Sequence, residues 1–448
     1  MPVAPPPTPD PGTRADRRGL DREIFALAVP AFATLVSEPL LIIVDTAVVG
    51  HLGTSSLAGL GAAASVLGVV VSLSIFLAYG TTATVARRLG AGDLRGALSG
   101  GLDGLSLALL IGAVGAGGLV LLAGRLVGLY SDDPTVVAQG TTYLRVVALA
   151  LPSILVVLAA TGVLRGLQDT RTPLYVAVAT NVVNMGLSIG LVHGAGLGIV
   201  GAATGTVLAQ TAGALYLART VLRGAHRQGV RWRWHPAGVL AAVRTGVWLV
   251  LRTAGMQATI LTTTVVAASL GVLSLASHQV VNSLWVLLAF ALDAIAIAAQ
   301  AIVGRYLGAG QVALVRSLMG RMVMWGVLAG VLFGAVVWAS SPLYVPLFSP
   351  DPEVQRLVGE VLLVVALITP LSGVVFVLDG VLIGAGDARY LGLASLVTTV
   401  VYVPLALLVG WSGAGLVWLW AAYSVWMLAR AVTLVLRSRG TRWMRVGA

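Results

Sequence analysis

The chain has no cysteine, no lysine and little charge of either sign. The missing cysteine excludes disulfides, thiolate catalysis and cysteine-based metal sites. Charged residues make up 10% of the chain, against about 25% in soluble domains. With 58% hydrophobic residues and a mean hydropathy of +0.96, the 448 residues read as an integral membrane protein made mostly of spans. The apolar segments are rich in Ala, Leu, Val and Gly, which marks helices and not a β-barrel. There is no Walker A sequence, so ATP is not expected to drive the protein directly. His51, His193 and His278 lack metal-ligand spacing, and no metal is expected. The net charge of +11 is carried by arginine alone. Those arginines fall in short loops, which is the positive-inside pattern and not a nucleic-acid-binding surface.

Twelve apolar stretches follow, at 24–50, 57–84, 98–123, 136–161, 173–193, 199–221, 243–270, 275–302, 317–340, 354–380, 390–410 and 415–436. Arginines precede the first span and follow each even-numbered one, whereas the odd-numbered exits hold only Arg125. Both termini are therefore expected in the cytoplasm. The Pro-rich start, residues 1–23, reads as a disordered cytoplasmic tail, and 437–448 as a basic cytoplasmic tail. The Ala/Gly/Val/Arg bias suggests a GC-rich bacterial gene and a bacterial inner membrane.

A long-range repeat organises the spans. ARRLGAGD ending at Asp93 matches GRYLGAGQ ending at Gln311, YSDDP from Tyr130 matches FSPDP from Phe348, and VLRGLQDTR around Asp169 matches VLIGAGDAR around Asp387. All three pairs share a single offset, since 311 minus 93, 348 minus 130 and 387 minus 169 are equal. Each unit holds an even number of spans, so the copies enter the membrane in the same direction. The expected fold is all-α: twelve transmembrane helices in two parallel six-helix lobes, residues 24–221 and 239–436, joined by a basic cytoplasmic linker at 222–238.

The first span carries the most unusual chemistry. An ionised carboxylate near the bilayer centre costs about 2.5–3.5 kcal/mol on the insertion scale, yet this span holds both Glu38 and Asp45. Seven residues apart, they share a helix face. Pro39 removes a backbone donor beside Glu38 and predicts a kink, hence a hinge. The repeat maps Asp45 to Thr263 and Glu38 to Met256, so the acidic pair belongs to the N-terminal lobe alone. Asp45 is the candidate ion-coupling residue, with Glu38 as its helper; Arg145 and Arg252 are either partners of Glu38 or residues that snorkel to the interface.

Other polar residues inside spans mark candidate cavity walls. Asn181, Asn184 and Ser188 share a face of the fifth span, where they either line a substrate cavity beside Asp45 or tie helices together. Gln279, Asn282, Asp293 and Gln300 form one stripe on the eighth, read as cavity-lining. Asp379, late in the tenth, is either cavity-lining or ion-paired. Asp103 reads as an interfacial residue.

SEPLLIIVDTAVVGHLG and LAGLGAAAS at the start resemble the opening of multidrug and toxic compound extrusion (MATE) transporters, of the DNA-damage-inducible, DinF-like branch. The resemblance continues through LGAGD, VLRGLQDTRTPLY, LASHQVVNSLW, LDAIAIAAQAIVGRYLGAG and LDGVLIGAGDARY, covering nearly the whole chain after the N-terminal tail. It implies a non-enzymatic secondary antiporter, expected to be a monomer. It would export small cationic, often amphipathic compounds against H⁺ or Na⁺ by rocking two lobes in the lipid bilayer. Asp45 matches the family's first-span coupling aspartate. Ser188 departs from the pattern, standing where related proteins often have a second aspartate. A Na⁺ site wants several hard oxygens, whereas burial of a lone carboxylate favours its neutral form, so H⁺ is the expected ion. The alternative is a flippase for lipid-linked precursors. It would favour a cationic cavity, and here the intramembrane charge reads as mainly acidic.

Overall fold

The computed structural model describes the backbone of residues 14–50 and 53–447, and the side chains of 18–37, 49 and 53–447. Its helices are α1 (Arg14–Gly50), α2 (Thr54–Gly90), α3 (Leu94–Val127), α4 (Pro134–Gly166), α5 (Arg171–Gly194) and α6 (Gly198–Arg227) in the N-terminal half. The C-terminal half holds α7 (Pro236–Ser269), α8 (Val272–Gly308), α9 (Val312–Ala339), α10 (Pro352–Gly384), α11 (Ala388–Ser412) and α12 (Leu416–Arg439). Among the described residues, all of these but α1 have the length and apolarity of membrane-crossing helices; α1 supplies the remaining span. A short helix, Ser341–Phe348, precedes α10.

Side-chain caps start several helices in these tight turns. Asp133 accepts hydrogen bonds from Thr135 N at 2.7 Å, and Asp351 accepts from Glu353 N at 2.8 Å. Each is followed by a proline in the first turn, which has no N–H to leave unsatisfied. These two caps are counterparts under the repeat, which also holds at finer scale. Asn181 Nδ2 donates to the Ser37 carbonyl at 2.8 Å, and Thr399 Oγ1 donates to the Gly255 carbonyl at 3.0 Å. Both members of the second pair are the repeat counterparts of the first, so α5 crosses α1 as α11 crosses α7. One break is not shared. The helix of α2 turns at Ile75, whereas α8 runs unbroken through the equivalent position, Asp293.

The lobes meet at the end that carries the arginine-rich loops and both termini. There α2 crosses α8 at a glycine pair related by the same offset. A Cβ on Gly90 would stand 1.8 Å from the Arg305 carbonyl oxygen, and one on Gly308 would stand 1.9 Å from that of Arg87. Only glycine allows this approach. Further in, Ala294 and Ile297 of α8 are buried against Ala31 of α1. Toward the far end the same helix stripe continues through Val286, Ser283 and Gln279, and all three are exposed. Ser65 and Val69 on the matching stripe of α2 are exposed as well. The two lobes therefore close at the basic end and part at the other.

Three expectations about the connecting segments change. Residues 14–23, expected disordered, form the first turns of α1 and are held by carboxylates that reach the other lobe. Asp21 accepts from Arg321 Nε at 2.5 Å and from Trp325 Nε1 at 2.8 Å, and Glu23 pairs with Arg305 and accepts from the Tyr306 hydroxyl at 3.2 Å. The linker shortens to residues 228–235, because α6 and α7 extend past the apolar core. The C-terminal tail folds back with Trp443 only 1% exposed. Arg87 of the N-terminal lobe donates to the tail carbonyls of Arg445 at 2.9 Å and Gly447 at 2.8 Å.

Candidate functional site

Glu38, Pro39 and Asp45 fall on the backbone of α1, but their side chains lie outside the described residues. The described part of α5 and the matching crossing in the second repeat differ in chemistry. In the N-terminal lobe Asn184 and Ser188 are 1% and 0% exposed, and Ser188 packs against Gly205 of α6. In the C-terminal lobe the counterpart of Asn184 is Tyr402, whose hydroxyl is 2.6 Å from Thr263 Oγ1. Thr263 is itself the counterpart of Asp45. The C-terminal lobe thus fills this crossing with a neutral, buried hydroxyl pair, enclosed by Tyr423 and Trp426 at ring distances of 6.1 and 6.3 Å from Tyr402.

Asp379 does not line an open cavity; it is the ion-paired alternative that the structure realises. It is 5% exposed and is gripped by Arg252 Nη2 at 2.9 Å and by the guanidinium of Arg430. A carboxylate this buried requires such partners, and each guanidinium offsets part of its desolvation. The Glu38 side chain lies outside the described residues, and its candidate partner Arg252 is paired with Asp379. Its guanidinium also sits 5.8 Å from the Tyr79 ring of the opposite lobe, a cation–π contact. Asp293 is half-buried nearby, within electrostatic range of Arg252, Arg165 and Asp379.

The stripe on α8 divides. Gln279 is exposed and Asn282 half-exposed where the lobes part. Gln300, expected on a cavity wall, is 2% exposed, and its Nε2 donates to the Tyr79 carbonyl at 2.7 Å. It is an inter-lobe tie, because the stripe that faces the opening at one end is covered by α2 at the other. The intramembrane charge is also less acidic than expected. Arg165 lies inside α4 and is 7% exposed, not in a loop, and Arg430 is a buried arginine within the last span.

A cavity of about 1050 Å³ lies at the basic end between α2 and α3 on one side and α7, α10 and α11 on the other. None of Asn181, Asn184, Ser188, Gln279, Asn282, Asp293, Gln300 or Asp379 lines it.

Two parallel six-helix repeats, closed at one membrane face and parted at the other, with polar and charged groups buried between them, define a membrane transporter of the tandem-repeat kind. The chain belongs to the MatE family, whose profile matches residues 30–189 and 249–408. It is 31% identical to "Protein DETOXIFICATION 44, chloroplastic" of Arabidopsis thaliana, over 95% of this chain and 82% of that protein. It is 29% identical to "DNA damage-inducible protein F" of Escherichia coli (strain K12), over 92% of this chain and 91% of the relative. In fold it is similar to a solved structure described as the outward-facing conformation of a multidrug resistance MATE family transporter. That likeness has a TM-score of 0.85 at 20% identity and covers 94% of this chain and 95% of the other.

Proposed function

We propose that this protein is a proton-coupled secondary antiporter that exports small cationic or amphipathic organic molecules, with Asp45 as the coupling carboxylate. The observation that carries the proposal is the unequal chemistry of two equivalent crossings. Thr263 and Tyr402 form a neutral hydrogen-bonded pair, whereas the sequence sets a carboxylate, Asp45, and an amide, Asn184, at the matching positions. The C-terminal lobe builds the equivalent crossing without a carboxylate, so the crossing itself does not require one. The positive-inside rule puts the basic end in the cytoplasm, so the described arrangement is outward-open. Protonation at the outer side neutralises Asp45 and lets α1 bend at Pro39, with Glu38 as a second carboxylate on the same face. Release of the proton inside restores the charge that a cationic substrate prefers. Antiport then needs only competition between proton and substrate, plus a barrier to switching when the site is empty. Asn181, through its bond to the Ser37 carbonyl, couples the bend of α1 to α5. We propose further that the protein works as a monomer in a bacterial inner membrane, with both termini cytoplasmic.

The test is ethidium efflux from proteoliposomes under an imposed pH gradient, with and without Na⁺. Efflux driven by the pH gradient alone, abolished by Asp45→Asn, is the expected result. Efflux that needs a Na⁺ gradient, or that persists in Asp45→Asn, refutes the coupling assignment. The flippase reading gains two observations, the buried arginines Arg165, Arg252 and Arg430 and the charge of the cavity at the basic end. That cavity sits off the opening between the lobes, so antiport through the opening remains the better account.

A further inference from the structure

The cavity at the basic end has a charge that the transport mechanism does not use. Arg87, Arg88, Arg389, Arg437, Arg442 and Arg445 line it, against two carboxylates, Asp103 and Asp387. Asp387 is already paired with Arg437 at 2.7 Å, and Asp103 faces His235 at 3.6 Å. Arg87 is turned to the tail carbonyls. Among the described residues Arg88, Arg389, Arg442 and Arg445 have no carboxylate within ion-pair distance. Arg88 donates to the Gly96 carbonyl at 2.6 Å, and Arg389 lies 5.6 Å from the Trp248 ring; neither contact neutralises charge. The inner wall is different in kind. Phe76, Leu77, Leu107, Leu249 and Leu393 make it apolar. The site thus has a basic mouth at the level of a membrane surface and an apolar floor toward the bilayer interior. Exposed Trp232 and Trp234 in the adjoining linker suit that same interfacial depth.

We infer that this cavity binds the headgroup of an anionic phospholipid, with its phosphate among Arg88, Arg389, Arg442 and Arg445 and its chains against the apolar floor. Basic pockets between membrane helices at the cytoplasmic side take such headgroups, and arginine is the side chain best matched to phosphate. Arg88 belongs to α2 and Arg389 to the turn that opens α11, so one headgroup bridges the two lobes. The lipid is therefore a clamp on the state closed at the basic end. The inference does not rest on the transport reading, because binding is measured without transport.

The test is native mass spectrometry of the full-length protein in detergent, with dihexanoyl-phosphatidylglycerol, dihexanoyl-phosphatidylcholine or inorganic phosphate added. Phosphatidylglycerol is expected to saturate as a single adduct, with no phosphatidylcholine adduct at the same concentration. The pair Arg389→Gln and Arg442→Gln is expected to weaken binding roughly 25-fold, at about five-fold per arginine. Asp103→Asn is expected to strengthen it, an effect of opposite sign that misfolding cannot imitate. Arg356→Gln, in an exposed pair with Glu360 away from the cavity, is expected to leave it unchanged. Equal binding of the two lipids, or indifference to the arginine pair, overturns the assignment. So does inorganic phosphate binding as tightly as the lipid, which gives the site to a free anion.

Discussion

Replacing Asp379 by asparagine keeps the shape of the side chain and one acceptor oxygen but removes the charge that two buried arginines share. Arg252 and Arg430, 9% and 6% exposed, then lose the carboxylate that both are bonded to, and among the described carboxylates only Asp293 remains within electrostatic range of Arg252. Removing one partner from a buried ion pair costs about 3–5 kcal/mol. Unfolding entropy near 2.1 cal/mol/K per residue gives this chain about 0.9 kcal/mol per degree of Tm. Asp379→Asn is therefore expected to lower Tm by about 3–5 °C, measured by differential scanning fluorimetry of detergent-purified protein. A second substitution is expected to rescue part of the loss. Adding Arg430→Met to Asp379→Asn removes one of the two stranded charges and is expected to recover at least half of the loss, although Arg430→Met alone is itself destabilising. A Tm unchanged in Asp379→Asn, or strictly additive losses in the double variant, would refute the view that the triad is held together by its charge balance.

Two further perturbations address the closed end. Gly90→Ala sets a methyl group where only 1.8 Å separates it from the Arg305 carbonyl oxygen, so the basic end is expected to open. With no native cysteine, spin labels at the repeat-related positions Arg95→Cys and Ala313→Cys read this as a longer inter-label distance in Gly90→Ala than in the parent. The hydrogen bonds from Arg321 and Trp325 hold the Asp21 carboxyl below the usual carboxylate range, outweighing the opposing effect of burial. A group with a depressed folded pKa stabilises above its unfolded value, near 3.8 here, and loses that contribution as pH falls through the folded value. Asp21→Asn is thus expected to weaken the closed end by about 1.5–3 kcal/mol at neutral pH, with the difference from the parent vanishing in strong acid. The same pair of labels, followed against pH, checks both statements.

The spans and the duplication are legible in the sequence because each depends on many residues: hydropathy averages over a whole helix, and a shared offset needs several matches. What stays hidden depends on single boundaries or on distant partners. Arg165 reads as a loop residue when the fourth span is ended a few residues early, whereas α4 runs to Gly166. Arg430 carries the same kind of signal as the intramembrane carboxylates, a lone arginine in AYSVWMLARAVTLVL, and a reading centred on carboxylates passes over it. Asp379 meets partners 127 and 51 residues away, a pairing that no periodicity reveals. Gln300 does lie on the expected stripe, but periodicity tells which face a residue occupies and not whether another helix covers it. Composition makes the Pro-rich N-terminus read as disordered, and it cannot show that Asp21 and Glu23 reach arginines on the opposite lobe. The cationic cavity is assembled from helix ends of both lobes and from the tail, which hydropathy treats merely as the ends of spans.

Substrate and proton compete at Asp45 in the antiport proposed here. That competition is tested most directly by adding tetraphenylphosphonium to weakly buffered, detergent-purified protein near neutral pH and following proton release with an indicator dye. About one proton is expected to leave each wild-type molecule as the cation binds, and none to leave Asp45→Asn that still binds the cation. Equal release from both proteins, or binding to the wild type with no release at all, would contradict that competition.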